Sequence, residues 1–407
     1  MSSKNRPLYY LVSTAGIPNL GDELIAATWL RYLAETAPDA DVVLDCVDPA
    51  GVVAMLGGVH PRLRTMSVLW QICFRNWSEG VRTQGIAESL VADPSLAGDL
   101  REGVELLRRA DVVHLTGGGF LNGIWPAFVG LLAGIATATE HSGGVSAVTG
   151  VGLYPAIAGA GDLVVDLASR FSVADVRDEA SAGLLGEHGR YSCDDVFLSP
   201  GAWLGEPRGE TPEVMVSIQS TRPPSTLFPP ASALEGEARL SREEQARAVR
   251  SDQGMGMLVG FFAKTLAEWG VRDIGLIECW PDVDRRALDL AGSLAPNVRR
   301  YTLDEVLRDG FPAAPGQTWL STRFHPHLFA AAAGASGVAV NLMKGYYDTK
   351  HRSLIEQGSS WSLAHYRPFS RRQEIPERPT SGGFTKESLA VLRARKLLVA
   401  EQIYGGR

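Results

Sequence analysis

Four short stretches place reactive or anion-binding side chains where an α/β chain can present them. The first, "NLGDE" (19–23), follows the apolar run "LYYLV" and opens a helix with Asp22 and Glu23 in its first turn. Asn19 suits a helix cap, and acids suit the positive end of the helix dipole. That accounts for Glu23. Asp22 lies beside Gly21, whose missing side chain lets backbone approach a ligand, so a capping role and a catalytic role both stand. The second, "VVHLTGGGFLNG" (112–123), sets Gly117, Gly118 and Gly119 after a strand. They form either a tight turn or a row of bare N–H groups on which a ligand can lie. The stretch is neither a dinucleotide fingerprint nor a P-loop with its lysine.

In the third, "SVADVRDEASAGLLGEHG" (172–189), Arg177 ends a strand and precedes a helix that starts with acids. It either pairs with a neighbouring acid or offers its planar fork to a carboxylate or phosphate. The fourth, "TWLSTRFHPHLFAAAAGASGVAVNL" (318–342), puts Arg323 and His325 in a turn before a helix with an early proline. The helix N-terminus there adds partial positive charge to Arg323, which makes an anion site with an imidazole for acid–base work. His325 and His327 have the spacing of a metal pair, but no further ligand cluster accompanies them, and a packed His327 is the other reading. Downstream, "MKGYYDTKHRSLIEQG" carries Lys344, Lys350, His351 and Arg352, either a solvated face or more of the same cationic site. Serine-hydrolase, kinase and zinc-protease signatures are absent.

The elements that must position these residues alternate in type. Strands are predicted at 8–13, 42–46, 111–116, 144–149 and 171–174, with helices at about 22–36, 98–109, 124–140, 162–170 and 178–187. A Pro- and Gly-rich break at 198–213 reads as an interdomain linker. A second series has strands at 213–219, 273–279, 298–302, 318–322 and 337–342. The expected fold class is therefore α/β, two Rossmann-like domains facing a cleft: 1–205, 206–384 with an insertion near 220–250, and a C-terminal helix over 385–407. The aromatic and basic segment "SVLWQICFRNW" (67–77) either lies on a membrane surface or packs over the first sheet.

Size and charge narrow the function. The chain has 407 residues, 45% hydrophobic and 21% charged, enough for two cores. A net charge of −7 argues against nonspecific binding of nucleic acid, so any anion must meet a local cationic cluster. No apolar run reaches membrane-spanning length, and four scattered cysteines suit free thiols in a reducing cytoplasm.

Taken in order, the motifs resemble the polysaccharide pyruvyl transferase family. The match is carried by "NLGDE", "ADVVHLTGGGF" (110–120), "GVGLYP" (150–155), "RDEAS" (177–181), "CDDVFL" (193–198), "RFHPHLFAAAAG" (323–334) and "YDTK" (347–350). The extra "MKGY" leaves Lys344 competing with Lys350 as the matched lysine. The resemblance implies a glycosyltransferase-B-like fold and transfer of the enolpyruvyl group of phosphoenolpyruvate onto a sugar, giving a pyruvate ketal and phosphate. It implies Asp22, His325 and Arg177 as catalytic residues, with Asp22 facing His325 across the cleft. Asn19, Gly21, Gly117, Gly118, Gly119, Arg323, Lys344 and Lys350 become the substrate-binding set. No metal or redox cofactor is required. The acceptor is a sugar, a lipid-linked saccharide or a polysaccharide, met in the cytoplasm or at the inner membrane face. The rivals are a glycosyltransferase using a nucleotide sugar, with Glu278 as a ribose-binding acid, and a noncatalytic sugar- or phosphate-binding relative.

Overall fold

A computed structural model describes residues 6–204, 211–219, 242–342, 347–367 and 373–405, with the backbone alone for 242–253, 282 and 347. Lys344 and the 220–241 part of the expected insertion lie outside the described residues. The chain divides into two compact units. Among the described residues, one comprises 6–198 and 392–405, the other those between 199 and 391.

The first unit is built on strands β1 (Leu8–Val12), β2 (Asp41–Asp45), β3 (Leu63–Met66), β4 (Val112–Leu115), β5 (Val145–Val151), β6 (Val173–Val176) and β7 (Arg190–Tyr191). They form one parallel sheet in the order β3-β2-β1-β4-β5-β6-β7. The second unit carries β8 (Val214–Ser217), β9 (Asp273–Ile277), β10 (Asn297–Tyr301), β11 (Thr318–Ser321), β12 (Ser336–Asn341) and β13 (Ser362–His365). Its parallel order is β10-β9-β8-β11-β12-β13. Both are Rossmann-like. Residues 9–12 of β1 and all of β4, β11 and β12 are buried, as strands covered on both faces must be, and this explains their continuous apolar runs.

Differences from the sequence reading fall at the sheet edges. Strands β3, β7 and β13 were not expected; they are short and partly exposed, so no apolar run marks them. Segment 67–77 contains the helix Leu69–Arg75, whose Leu69, Trp70, Ile72 and Cys73 are buried. Trp70 meets Phe128 edge-on at 5.0 Å, so this apolar face belongs to the core rather than to a membrane surface. The stretch 242–250, read as insertion, opens the helix Arg242–Glu268. All four cysteines are buried and free.

The C-terminal helix, Lys386–Tyr404, was set apart as its own segment, yet from Leu392 onward it belongs to the first unit. Leu392, Val399, Ala400 and Ile403 are buried there, and so is Lys396, at 0% exposure. Its Nζ donates to Asp175 Oδ2 at 2.6 Å and Asp195 Oδ1 at 3.0 Å. Burial opposes that charge, but the two carboxylates outweigh it and raise the ammonium above its ordinary value. Lys396→Met leaves two buried carboxylates without their cation, so it should lower unfolding free energy by about 3–5 kcal/mol in urea denaturation. A loss under about 1 kcal/mol would mean the triad is not what ties the helix down.

Candidate functional site

Parallel sheets bind ligands beyond their carboxyl ends, where the strand order reverses. In the first unit that point lies between β1 and β4, and the two loops there carry the first two motifs. Asn19 has extended backbone and its Oδ1 accepts from the Gly21 N–H at 3.3 Å, capping the helix Leu20–Thr36. Asp22 is half-buried, and its Oδ1 lies 3.6 Å from where a Cβ on Gly118 would stand. Folding thus brings Asp22 onto the triple-glycine loop.

Glu23 departs from its expected role as a dipole-facing acid. It is fully buried, with Oε1 accepting from the Gly16 N–H at 2.8 Å. Gly117 also differs from expectation. Its N–H points inward, donating to Asp195 Oδ2 at 2.8 Å, so it holds the loop down rather than offering a donor to a ligand.

Asp195 is a residue that sequence reasoning missed. Buried, it accepts from Trp29 Nε1 and Thr149 Oγ1, both at 2.7 Å, besides Gly117 and Lys396. Thr149 Oγ1 also meets His114 Nε2 at 2.8 Å, and His114 Nδ1 meets the Tyr404 hydroxyl at 2.8 Å. Burial pulls His114 down to about 4, so it is neutral in this network. Gly150 explains one glycine of "GVGLYP". Its φ is +54°, and a Cβ there would stand 2.4 Å from Asp195 Oδ1. The "DD" in "CDDVFL" was the available signal, without its distant partner Lys396.

Arg177 was expected to contact substrate. Instead it is 2% exposed and donates to buried Asp194 Oδ2 at 3.1 Å. Its guanidinium lies under Gly152, where a Cβ would be 3.1 Å from Nε. Asp178 caps the following helix through the Ser181 N–H at 2.8 Å, and Ser181 Oγ accepts from the Leu153 N–H at 2.9 Å. The "RDEAS" motif therefore shapes the "GVGLYP" loop.

In the second unit the order reverses between β8 and β11. The Gln219 N–H after β8 donates to Thr322 Oγ1 after β11 at 2.7 Å. Arg323 stands at the N-cap position of the helix Phe324–Ala332 with extended backbone (φ −106°, ψ 141°) and no side-chain capping bond, is 8% exposed and pairs with buried Asp284. Asp284 is held by the N–H groups of Cys279 (3.1 Å) and Trp280 (2.9 Å). His325 is half-buried, its ring edge-on to Phe324 at 5.1 Å.

His327 takes the packed reading. It is buried, stacks on Trp361 at 4.3 Å, and meets Ser359 Oγ at 2.8 Å and His351 Nδ1 at 3.1 Å. The His327–His351 contact joins the helix Tyr347–Glu356, carrying half-buried Lys350, to the helix that follows Arg323. Among the described residues no group of three or more His, Cys, Asp or Glu could hold a metal. Glu278, the weighed ribose ligand, accepts from the Leu303 N–H at 3.2 Å at a helix start.

Burial draws His351 down to about 4 from an ordinary 6.5 and lowers His327 as well. A histidine kept neutral by the fold contributes stability above the unfolded value, and that stability is lost as pH falls from about 6.5 toward 4. The urea midpoint of wild type should therefore drop more steeply over that window than the midpoint of His351→Gln. Parallel slopes would contradict a neutral His327–His351 pair.

Compared with known sequences, the chain matches the polysaccharide pyruvyl transferase family over residues 19–265, more than half its length. The matched span includes Asp22, the triple glycine, Arg177 and Asp195, and stops before Arg323. No curated protein matches. Among solved structures, UDP-GlcNAc 2-epimerase from Neisseria meningitidis bound to UDP-GlcNAc has TM-score 0.49 at 10% identity, covering 98% of this chain and 99% of that one. A glycosyltransferase from Rickettsia africae has TM-score 0.44 at 12% identity, covering 98% and 95%.

Proposed function

Because the chain belongs to the polysaccharide pyruvyl transferase family, we propose that it moves the enolpyruvyl group of phosphoenolpyruvate onto two hydroxyls of a sugar, closing a pyruvate ketal and releasing phosphate. The observation that carries this reading is Asp22 lying against Gly118 at the β1/β4 reversal, the place where such a fold binds its ligand.

The chemistry has two additions at C2. The first hydroxyl adds there while a proton is delivered to C3, turning the methylene into a methyl. The second hydroxyl then takes the place of phosphate, which departs with the remaining proton. Such steps need a positioned acid, a base for the hydroxyls and cations for phosphate and carboxylate. His325 is the candidate acid and Asp22 the candidate base, with the roles exchangeable. Arg323, Lys350 and the N-terminus of the helix Phe324–Ala332 are the candidate anion contacts. Arg177, already neutralised by Asp194, serves by shaping the "GVGLYP" loop. Gly21, Gly118 and Gly119 are the candidate backbone contacts for substrate beside Asp22. The donor requires no metal or redox cofactor. The acceptor class is a free, lipid-linked or polymeric saccharide. No helix among the described residues is long and apolar enough to cross a membrane.

Incubation with phosphoenolpyruvate and a panel of free, p-nitrophenyl and lipid-linked glycosides tests this. Acceptor-dependent phosphate release with a product heavier by a pyruvate ketal is expected. Asp22→Asn and His325→Ala should each lower kcat by at least about 100-fold while the circular dichroism stays that of wild type. Full activity in either variant refutes that residue's role; no phosphate release with any acceptor refutes the reading.

A further inference from the structure

Glu23 is a buried acid that the proposed chemistry does not use, one residue from an acid that it does. Its side chain has 0% exposure. Oε1 accepts from the Gly16 N–H at 2.8 Å, while Oε2 is buried without a hydrogen-bond partner. The loop it grips is itself wedged. Gly16 has φ +96°, and a Cβ there would stand 2.5 Å from the Asp48 carbonyl oxygen. The next strand's exit is laced to the same loop, since the Val47 N–H donates to the Ala15 carbonyl at 3.1 Å. The loop runs from β1 directly into the helix that carries Asp22.

The charged groups facing Glu23 are Asp22 on its own helix and Asp48 after β2, with the Cys46 thiol beside them. The backbone N–H groups of Gly16 and Asn19 favour an ionised carboxylate, but burial outweighs them and the two neighbouring acids add to it. A carboxyl with one oxygen unpartnered and two acids nearby is better accommodated as the neutral acid.

We propose that Glu23 is a positioning residue that works as a neutral carboxylic acid, gripping the β1 loop and leaving Asp22 without a second negative charge beside it where an anionic donor must approach. The donor half of this rests on the phosphoenolpyruvate reading. Burial pushes the Glu23 carboxyl up to about 8, so it holds its proton at neutral pH and loses it in mild alkali. Ionisation then strengthens the Gly16 hydrogen bond but sets like charge against the donor. The effect falls on donor affinity rather than on the chemical step.

The test is the KM for phosphoenolpyruvate from pH 7 to 9 in wild type and Glu23→Gln, whose amide keeps an acceptor for Gly16 and carries no charge. Wild-type donor KM should rise about tenfold, as the competent fraction falls, with kcat moving far less. In the variant the KM should stay flat within about twofold. A parallel rise in both proteins, or a flat wild-type profile, overturns the proposal; the wild-type profile alone decides if the variant does not fold. If neither protein turns over phosphoenolpyruvate at any pH, the donor reading is what has failed. Glu23 is then judged by thermal unfolding without ligand. A raised carboxyl stabilises the fold at low pH and loses that contribution as pH climbs through about 8, so wild type should fall behind Glu23→Gln between about pH 5 and 8. Parallel unfolding curves would overturn it.

Discussion

The ammonium of Lys396 between Asp175 and Asp195 is the contact on which the first unit's ligand-facing edge depends. Three charges with 0% side-chain exposure are tolerable because the cation sits between the two carboxylates and three of the four carboxylate oxygens find donors. Asp195 spends those oxygens on Trp29, Thr149 and the Gly117 N–H, and Asp175 accepts from the Gly150 N–H at 3.1 Å. The loop after β4 and the end of β5 are thereby hung from one buried cation. That cation arrives on the last helix of the chain, so the unit is complete only when residues far apart in sequence have met.

The same economy of charge runs through the second unit. Arg323 is neutralised by Asp284, as Arg177 is by Asp194, and each acid is buried. A guanidinium fixed in this way keeps its plane and position, and it can still direct other N–H groups at an anion. The His327–His351 pair contributes no charge. Its work is to join the helix that follows Arg323 to the helix of Lys350 through one nitrogen–nitrogen hydrogen bond. Preorganisation of this kind matters for a reaction that asks the protein to place charge rather than to supply a cofactor.

How much of this was legible in the sequence follows from burial and range. Central strands such as "VVHL" and "GVAVN" are continuous apolar runs because both faces are covered, and they were read correctly. Edge strands such as "LRTM" have exposed positions that blur any pattern. Asp22 and the triple glycine stand out in the sequence because each lies in the passage from a strand to the next helix. The pairing of Asp195 with Lys396 was not legible: "CDDVFL" flags the acid, but nothing local marks the lysine 201 residues further on. Glu23 was misjudged for a related reason. An acid in a first helical turn ordinarily faces solvent, and only the inward path of the loop through Gly16 makes this one a core group.

The central claim is that the ligand-facing edge is built for phosphoenolpyruvate. Calorimetric titration of the purified protein with phosphoenolpyruvate and, separately, with a uridine diphosphate sugar tests it most directly. Saturable binding of phosphoenolpyruvate, with no heat from the nucleotide sugar, is the predicted result. Saturable binding of the nucleotide sugar, with none of phosphoenolpyruvate, would contradict it.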